Sequence, residues 1–495
     1  MIIKRKSRFL KKEFIQFYSL FFLTIFFVYY TPPYINRVYF LLLLALFWNS
    51  NKDYFWFVFV FILVSEPGLL FHGGTLTDIH RIPLYTITSG ISFDFFDLFF
   101  ILSFIKALLK GKWTHLILKR PLTYLLFYFI FLFFISFFYG MNTESIKIYL
   151  RHFTVFTLFI SFPYLVYKKE DFLKFIHLVF PIIFLIIFSQ LLYLYTGNNL
   201  HSFISVKDTA DIIQLWEIAG YPTFIRPMPG GVMLIFFSFI FSLFLLEKKD
   251  YQGKKLYLYI ILVLSVLAIF ISATRSWILM FSIFFLLYSI FIVKKKIILL
   301  FNASLIMLIL FLSYLFIPRF AYSVDNSWRR LSTIENLIEG DVTAGGTLIR
   351  IDKRLPKVLE GFEQNPIFGW GFSKIYEKYC DHHVGIFNMM LQSGLIGLIL
   401  FVILWINYLR MIFFTTKRLS MNNTLKNPVL VLAIAFIGIL ILQVTFPFFA
   451  FDFKIRVAFF TIIFVSFSEF FVKAALKEQK TIKYYHQFAG LPGGS

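Results

Sequence analysis

Phe14-Ile15-Gln16-Phe17-Tyr18-Ser19-Leu20-Phe21-Phe22-Leu23-Thr24-Ile25-Phe26-Phe27-Val28-Tyr29-Tyr30 is a run of seventeen residues without a charge. About 17–25 such residues cross a bilayer as a helix. Runs of the same kind recur at Leu122–Tyr139, at Phe175–Tyr195 and along the rest of the chain, which is 59% hydrophobic and contains 72 phenylalanines. Hydrocarbon offers the backbone no hydrogen-bond partner, so repeated apolar runs of this length read as helices. The fold class expected is an all-α polytopic membrane protein. Lys4, Arg5, Lys6, Arg8, Lys11 and Lys12 precede the first run, and no small-residue cleavage site follows it. It therefore reads as a retained first helix rather than a signal peptide. The lone Cys380 excludes an intramolecular disulfide, and no Cys/His cluster has zinc spacing.

A net charge of +22 is of the size met in nucleic-acid-binding proteins, but the charges are scattered between apolar runs rather than gathered on one soluble face. Positive-inside topology explains them better. About fourteen spans fit the pattern, and merging one helix pair gives twelve with the same parity. With the N-terminus cytoplasmic, inner segments carry 30 Lys and Arg against 9 in the short outer segments, which places both termini inside. Arginine departs from this rule: 11 of the 16 arginines fall on the outer side, whereas 25 of the 32 lysines fall on the inner side. Arginine binds phosphate bidentately and keeps its charge in a low-dielectric site, so the outer arginines suggest phosphate recognition. Snorkelling to headgroups is the ordinary alternative for any one of them.

Two outer loops exceed connector length, at 197–228 and 318–383. The second has helical pattern at Trp328–Ile338 and Leu348–Phe362, and is expected to form a structured cap. The chain thus divides into membrane helices with the first loop (1–317), the large loop (318–383) and C-terminal membrane helices (384–480). The tail at 489–495, ending Gly-Leu-Pro-Gly-Gly-Ser, reads as an appended linker.

Four elements converge on the outer face in this topology. Arg226 lies between prolines in Gly220-Tyr221-Pro222-Thr223-Phe224-Ile225-Arg226-Pro227. Arg275 sits in Ser272-Ala273-Thr274-Arg275-Ser276, a tight reversal between two spans. Arg350, Arg354 and Lys357 are spaced along one helical face, a pattern usually met on a solvated surface. The fourth element is Asp381-His382-His383-Val384-Gly385 at the mouth of a span. An imidazole neutral at physiological pH can take a proton from a sugar hydroxyl, and Asp381 could orient one ring. Gly394 and Gly397, within that span, are read as small residues permitting close helix contact. Asp94 and Asp97 are read as structural, and no metal is expected.

His383, ten residues, Gly394, two residues and Gly397 resemble the signature of the bacterial O-antigen ligase/polymerase superfamily. In that signature the histidine is followed by Asn, Ser or Gln. Asn365-Pro366-Ile367-Phe368-Gly369-Trp370-Gly371 resembles its upstream Pro-x-x-Gly-x-Gly, and Ser272–Ser276 resembles its Ser-x-(Ser/Thr)-Arg turn. The loop bearing Arg226 resembles the arginine-bearing loop that precedes that turn. The resemblance covers roughly residues 200–410. Val384 departs from it, and whether His383 or His382 corresponds to the signature's histidine stays open.

The resemblance implies a GT-C-like glycosyltransferase in the bacterial inner membrane, with its site on the periplasmic or external face. It implies undecaprenyl-diphosphate-linked glycan as donor and acceptor, inversion at the anomeric carbon and no cofactor. Arg226, Arg275, Arg350 and Arg354 would hold the pyrophosphate, and His383 or His382 would be the base. A polymerase, with a chain-length regulator as partner, fits the long outer loop. A ligase acting on lipid A-core is the alternative, and a polysaccharide transporter or flippase is a reading of another class. A transporter would bury charges at the bilayer midplane, whereas most ionisable groups here lie at span ends.

Overall fold

The computed structural model describes residues 2–65, 83–88, 91–110, 119–196, 200, 231–272, 275–293, 304, 308, 311–316, 318, 321, 324–325, 354–381, 384–445 and 455–488. The expected helices at 328–338 and 348–353, Arg226, Arg350, both histidines and the tail at 489–495 lie outside these residues, as does most of the span expected at 297–317. The helices are α1 Ile2–Tyr30, α2 Pro33–Asn49, α3 Asp53–Ser65, α4 Phe95–Leu109, α5 Lys119–Phe138, α6 Thr143–Leu165, α7 Lys169–Val179, α8 Ile182–Thr196 and α9 Val232–Leu246. They continue as α10 Lys255–Ile271, α11 Arg275–Phe291, α12 Leu355–Glu363, α13 Lys374–Tyr379, α14 Gly385–Arg418, α15 Lys426–Thr445 and α16 Ile455–Phe488. A multi-pass membrane protein follows. Among the described residues, four helical stretches, Lys12–Tyr30, Lys169–Leu192, Gly385–Arg418 and Phe459–Ile482, are long and apolar enough to span, and seven shorter helices are apolar.

One element departs from the all-helical expectation. β1 (Pro83–Thr88) and β2 (Ile91–Asp94) form an antiparallel pair in which Pro83 faces Asp94 and Thr88 faces Ile91. The pair runs directly into α4. There Asp97 N–H donates to Asp94 Oδ1 at 2.9 Å and Asp94 N–H donates to Asp97 Oδ2 at 3.3 Å. This reciprocal cap satisfies amides that a helix start leaves open. It gives these two carboxylates a structural task.

α3 and α9 are apolar on all sides and buried on almost all sides, as central helices must be. Around them phenylalanines pack in tilted and edge-to-face pairs. Phe237 lies 5.5 Å from Phe61 and 5.7 Å from Phe175, and Phe467 lies 4.5 Å from Phe172 and 5.4 Å from Phe175, by ring centroids. Lipid tails are as apolar as these side chains, so close packing rather than water exclusion holds such helices together.

The lysine-bearing segments meet at one end of the bundle. Asp53 accepts from Lys106 Nζ at 2.7 Å and Lys110 Nζ at 2.6 Å. Lys106 also donates to the Phe47 and Ser50 carbonyls at the end of α2, where a helix presents unpaired oxygens and partial negative charge. Glu13 pairs with Lys52 at 2.9 Å and Lys174 at 3.4 Å. Glu247 accepts from Tyr288 Oη and Asn427 Nδ2, and Glu478 accepts from the Thr424 amide and hydroxyl.

Candidate functional site

The opposite end of the bundle holds the Asp381 turn, and α14 explains how. Its 34 residues would rise about 51 Å at about 1.5 Å each, well beyond a hydrocarbon core of roughly 30 Å. The helix breaks at Gly394, whose φ of 61° and ψ of −166° are non-helical. Residues 385–393 therefore form a separate short helix, and 395–418 form the span proper. This corrects the expectation of one continuous span in which Gly394 serves only helix contact.

A break inside a helix frees carbonyls on one side and amides on the other, and each must find a partner. The Pro366–Gly371 loop supplies partners for two carbonyls and two amides. Trp370 and Gly371 N–H donate to the Leu391 and Gln392 carbonyls at 3.0 and 2.7 Å. Leu395 and Ile396 N–H donate to the Pro366 and Ile367 carbonyls at 2.9 and 3.3 Å. The two backbones touch so closely that side chains are excluded. A Cβ on Gly369, whose φ is 71°, would lie 2.5 Å from Gly394 N and 2.6 Å from the Gln392 carbonyl. A Cβ on Gly394 would overlap the Ile367 carbonyl. Gly397 does serve contact, since a Cβ there would lie 3.0 Å from Tyr128 of α5. The Pro-x-x-Gly-x-Gly motif and the glycine pair are thus two halves of one joint.

The joint is anchored to the α5–α6 hairpin. Ser136 Oγ accepts from Phe372 N–H at 2.7 Å, and Asn365 Nδ2 donates to Tyr139 Oη at 2.8 Å. Trp370 lies edge-on to Tyr139 at 4.8 Å. Above it, Val358, Tyr376, Tyr379, Val384 and Leu391 form a small apolar core of their own. This core joins α12, α13 and the short helix into a structured cap.

The turn that carries the histidines is tied down on either side of them. Val384 N–H donates to the Asp381 carbonyl at 3.1 Å. Asn388, buried in the first turns of α14, accepts from Asp381 N–H at 3.0 Å and donates back to the Asp381 carbonyl. Arg354, at the start of α12, places Nη1 3.6 Å from Asp381 Oδ1. The structure thus brings Arg354 to the histidine turn. Arg275 is the first residue of α11, and of this residue only the backbone is described. α11 packs on α15, and α15 on α14. Asn388, Ser136 and Tyr139 were not singled out by the sequence. The one available signal was an asparagine seven residues after Asp381, at the start of a largely apolar run.

Residues 260–402 match the family model for O-antigen ligase. The matched region takes in Arg275, the large loop, the histidine turn and the whole of the glycine joint. No curated protein matches the chain.

Proposed function

We propose that this chain, whose residues 260–402 fall within the O-antigen ligase/polymerase superfamily, is an inverting membrane glycosyltransferase that polymerises undecaprenyl-diphosphate-linked repeat units. The coarser part of this reading, a glycan-transferring membrane enzyme, follows from the match itself. The observation that supports the placement of its site is the position of the Asp381–Val384 turn, held by Asn388 and Arg354 at the end of the bundle away from the buried lysines. Lysine-rich ends face the cytoplasm, so the turn is assigned to the periplasmic or external face, with both termini cytoplasmic and about fourteen spans.

In the proposed reaction an acceptor sugar hydroxyl attacks the anomeric carbon of the donor glycan from the face opposite the pyrophosphate. The new C–O bond forms as the bond to pyrophosphate breaks, and the bonding pair leaves with undecaprenyl diphosphate. His383, or His382 beside it, takes the hydroxyl proton, a contribution of about 100- to 10,000-fold for a placed general base. Arg226, Arg275 and Arg350 carry the charge that grows on the departing pyrophosphate, so no metal is required. Arg354 lies against Asp381 and joins the anion site to the histidine turn. The polyprenyl tail lies in the apolar surface between spans. A chain-length regulator is the proposed protein partner.

Purified protein given lipid-linked repeat units tests this reading. Lengthening without lipid A-core identifies a polymerase, transfer only when lipid A-core is added identifies a ligase, and no new glycosidic bond supports transport. Loss of product in both Arg275→Ala and His383→Ala is the expected result. Full activity in both would overturn the site assignment.

A further inference from the structure

We infer that Asn388 is the positioning residue for the base of this enzyme, holding the histidine turn in place through the Asp381 backbone. The inference rests on the proposed function, and it adds a residue that neither the motif nor the match assigns. Asn388 lies on the short helix one turn beyond Val384, and its backbone N–H donates to the Val384 carbonyl at 3.0 Å. Its side chain does not cap its own helix. Instead Oδ1 accepts from Asp381 N–H at 3.0 Å while Nδ2 donates to the carbonyl of the same residue. A carboxamide offers a donor and an acceptor side by side, so it mimics a backbone partner and fixes both polar groups of one residue at once. A hydroxyl cannot do this in the same geometry, and an apolar side chain makes neither of these two bonds.

Three features make this a positioning device and not only a local brace. First, Asn388 is 2% exposed, so solvent cannot take over its hydrogen bonds when it is removed. Second, Val384 stands where the resembled signature has Asn, Ser or Gln. It has no polar atom in its side chain, makes no side-chain cap to α14 and is buried in the cap's apolar core. Besides the Val384 N–H, two hydrogen bonds of the turn therefore come from further along the helix. Third, the helix that carries Asn388 ends at Gly394 and is held by the Pro366–Gly371 loop. Asp381, Asn388 and the loop form one rigid chain of contacts from the histidine turn to the α5–α6 hairpin. Losing Asn388 removes two of the hydrogen bonds that hold Asp381 while the joint stays intact.

The test is steady-state transfer by the full chain in lipid nanodiscs, with lipid-linked repeat units extracted from source membranes as substrate. Asn388→Ala is expected to lower kcat about 100-fold, the usual cost of a misplaced catalytic group, with KM for the lipid-linked donor changed less than about twofold. Asn388→Gln, which keeps both amide groups, is expected to recover at least about a tenth of the wild-type kcat, the residue's role being to hold rather than to react. Wild-type kcat in Asn388→Ala overturns the inference, as does an effect confined to KM. If Asn388→Ala does not purify folded, Asn388→Ser takes its place under the same criteria. His382→Ala and His383→Ala run alongside. If neither loses activity, the functional reading fails whatever Asn388 does. If one of them does and Asn388→Ala does not, only the positioning role fails.

Discussion

At the lysine end of the bundle, Asp53, Lys106, Lys110, Glu13, Lys52 and Lys174 tie α1, α3, α4 and α7 together through ion pairs. At the other end, α14 and the Pro366–Gly371 loop are joined by backbone hydrogen bonds and glycine contacts, and the loop is pinned to the α5–α6 hairpin at Ser136 and Tyr139. Ion pairs between long side chains tolerate small shifts of the helices they link. A joint made of interlocked main chain does not, because each amide and carbonyl has one partner at one distance. On the proposed mechanism, the stiff device lies where a proton acceptor has to be placed to within a fraction of an ångström, and the tolerant one lies where the bundle need only hold together.

This contrast can be broken by removing one element at a time. The largest stability loss is expected for Asp53→Ala, which leaves the buried Lys106 ammonium without its carboxylate. Breaking such a pair costs about 3–5 kcal/mol, read as a lowered unfolding midpoint in detergent, with turnover per folded molecule unchanged. Gly394→Ala is expected to cost about 2–4 kcal/mol from a left-handed alanine and a clash with the Ile367 carbonyl, and here turnover falls with stability. Unchanged turnover in Gly394→Ala would show that the joint is not coupled to the site. Ser136→Ala removes the acceptor for Phe372 N–H, at about 1–2 kcal/mol, and should lower turnover by a smaller factor. The smallest effect is expected for Asn142→Ala. Asn142 accepts from Ser145 N–H at 2.7 Å as the cap of α6, and losing such a cap costs about 1 kcal/mol without touching kcat.

Much of the membrane domain was legible in the sequence because hydrocarbon imposes one local rule: a long uncharged run must be a helix. The segregation of lysines was legible for the same reason, and the structure gathers their segments at one end. The joint was half legible. Its two motifs, Pro366-x-x-Gly369-x-Gly371 and Gly394-x-x-Gly397, stood out as motifs, yet glycines in an apolar helix read as contact surface. That Gly394 instead breaks the helix depends on a partner loop whose amides and carbonyls replace the lost ladder. Nor was the antiparallel pair before α4 visible, since the stretch from Pro83 to Asp94 is too short and mixed to declare itself.

The sequence by itself determined that this chain crosses a membrane many times. It also set which end carries the lysines and which short motifs recur beside the histidines, because composition and spacing act over a few residues at a time. Only the tertiary structure decided that α14 is two helices, that the glycine motifs interlock, and that Asn388 and Arg354 hold the turn at Asp381. Those outcomes join residues as far apart as Ser136 and Phe372. Each follows from satisfying a specific backbone group in three dimensions, and no local pattern encodes that.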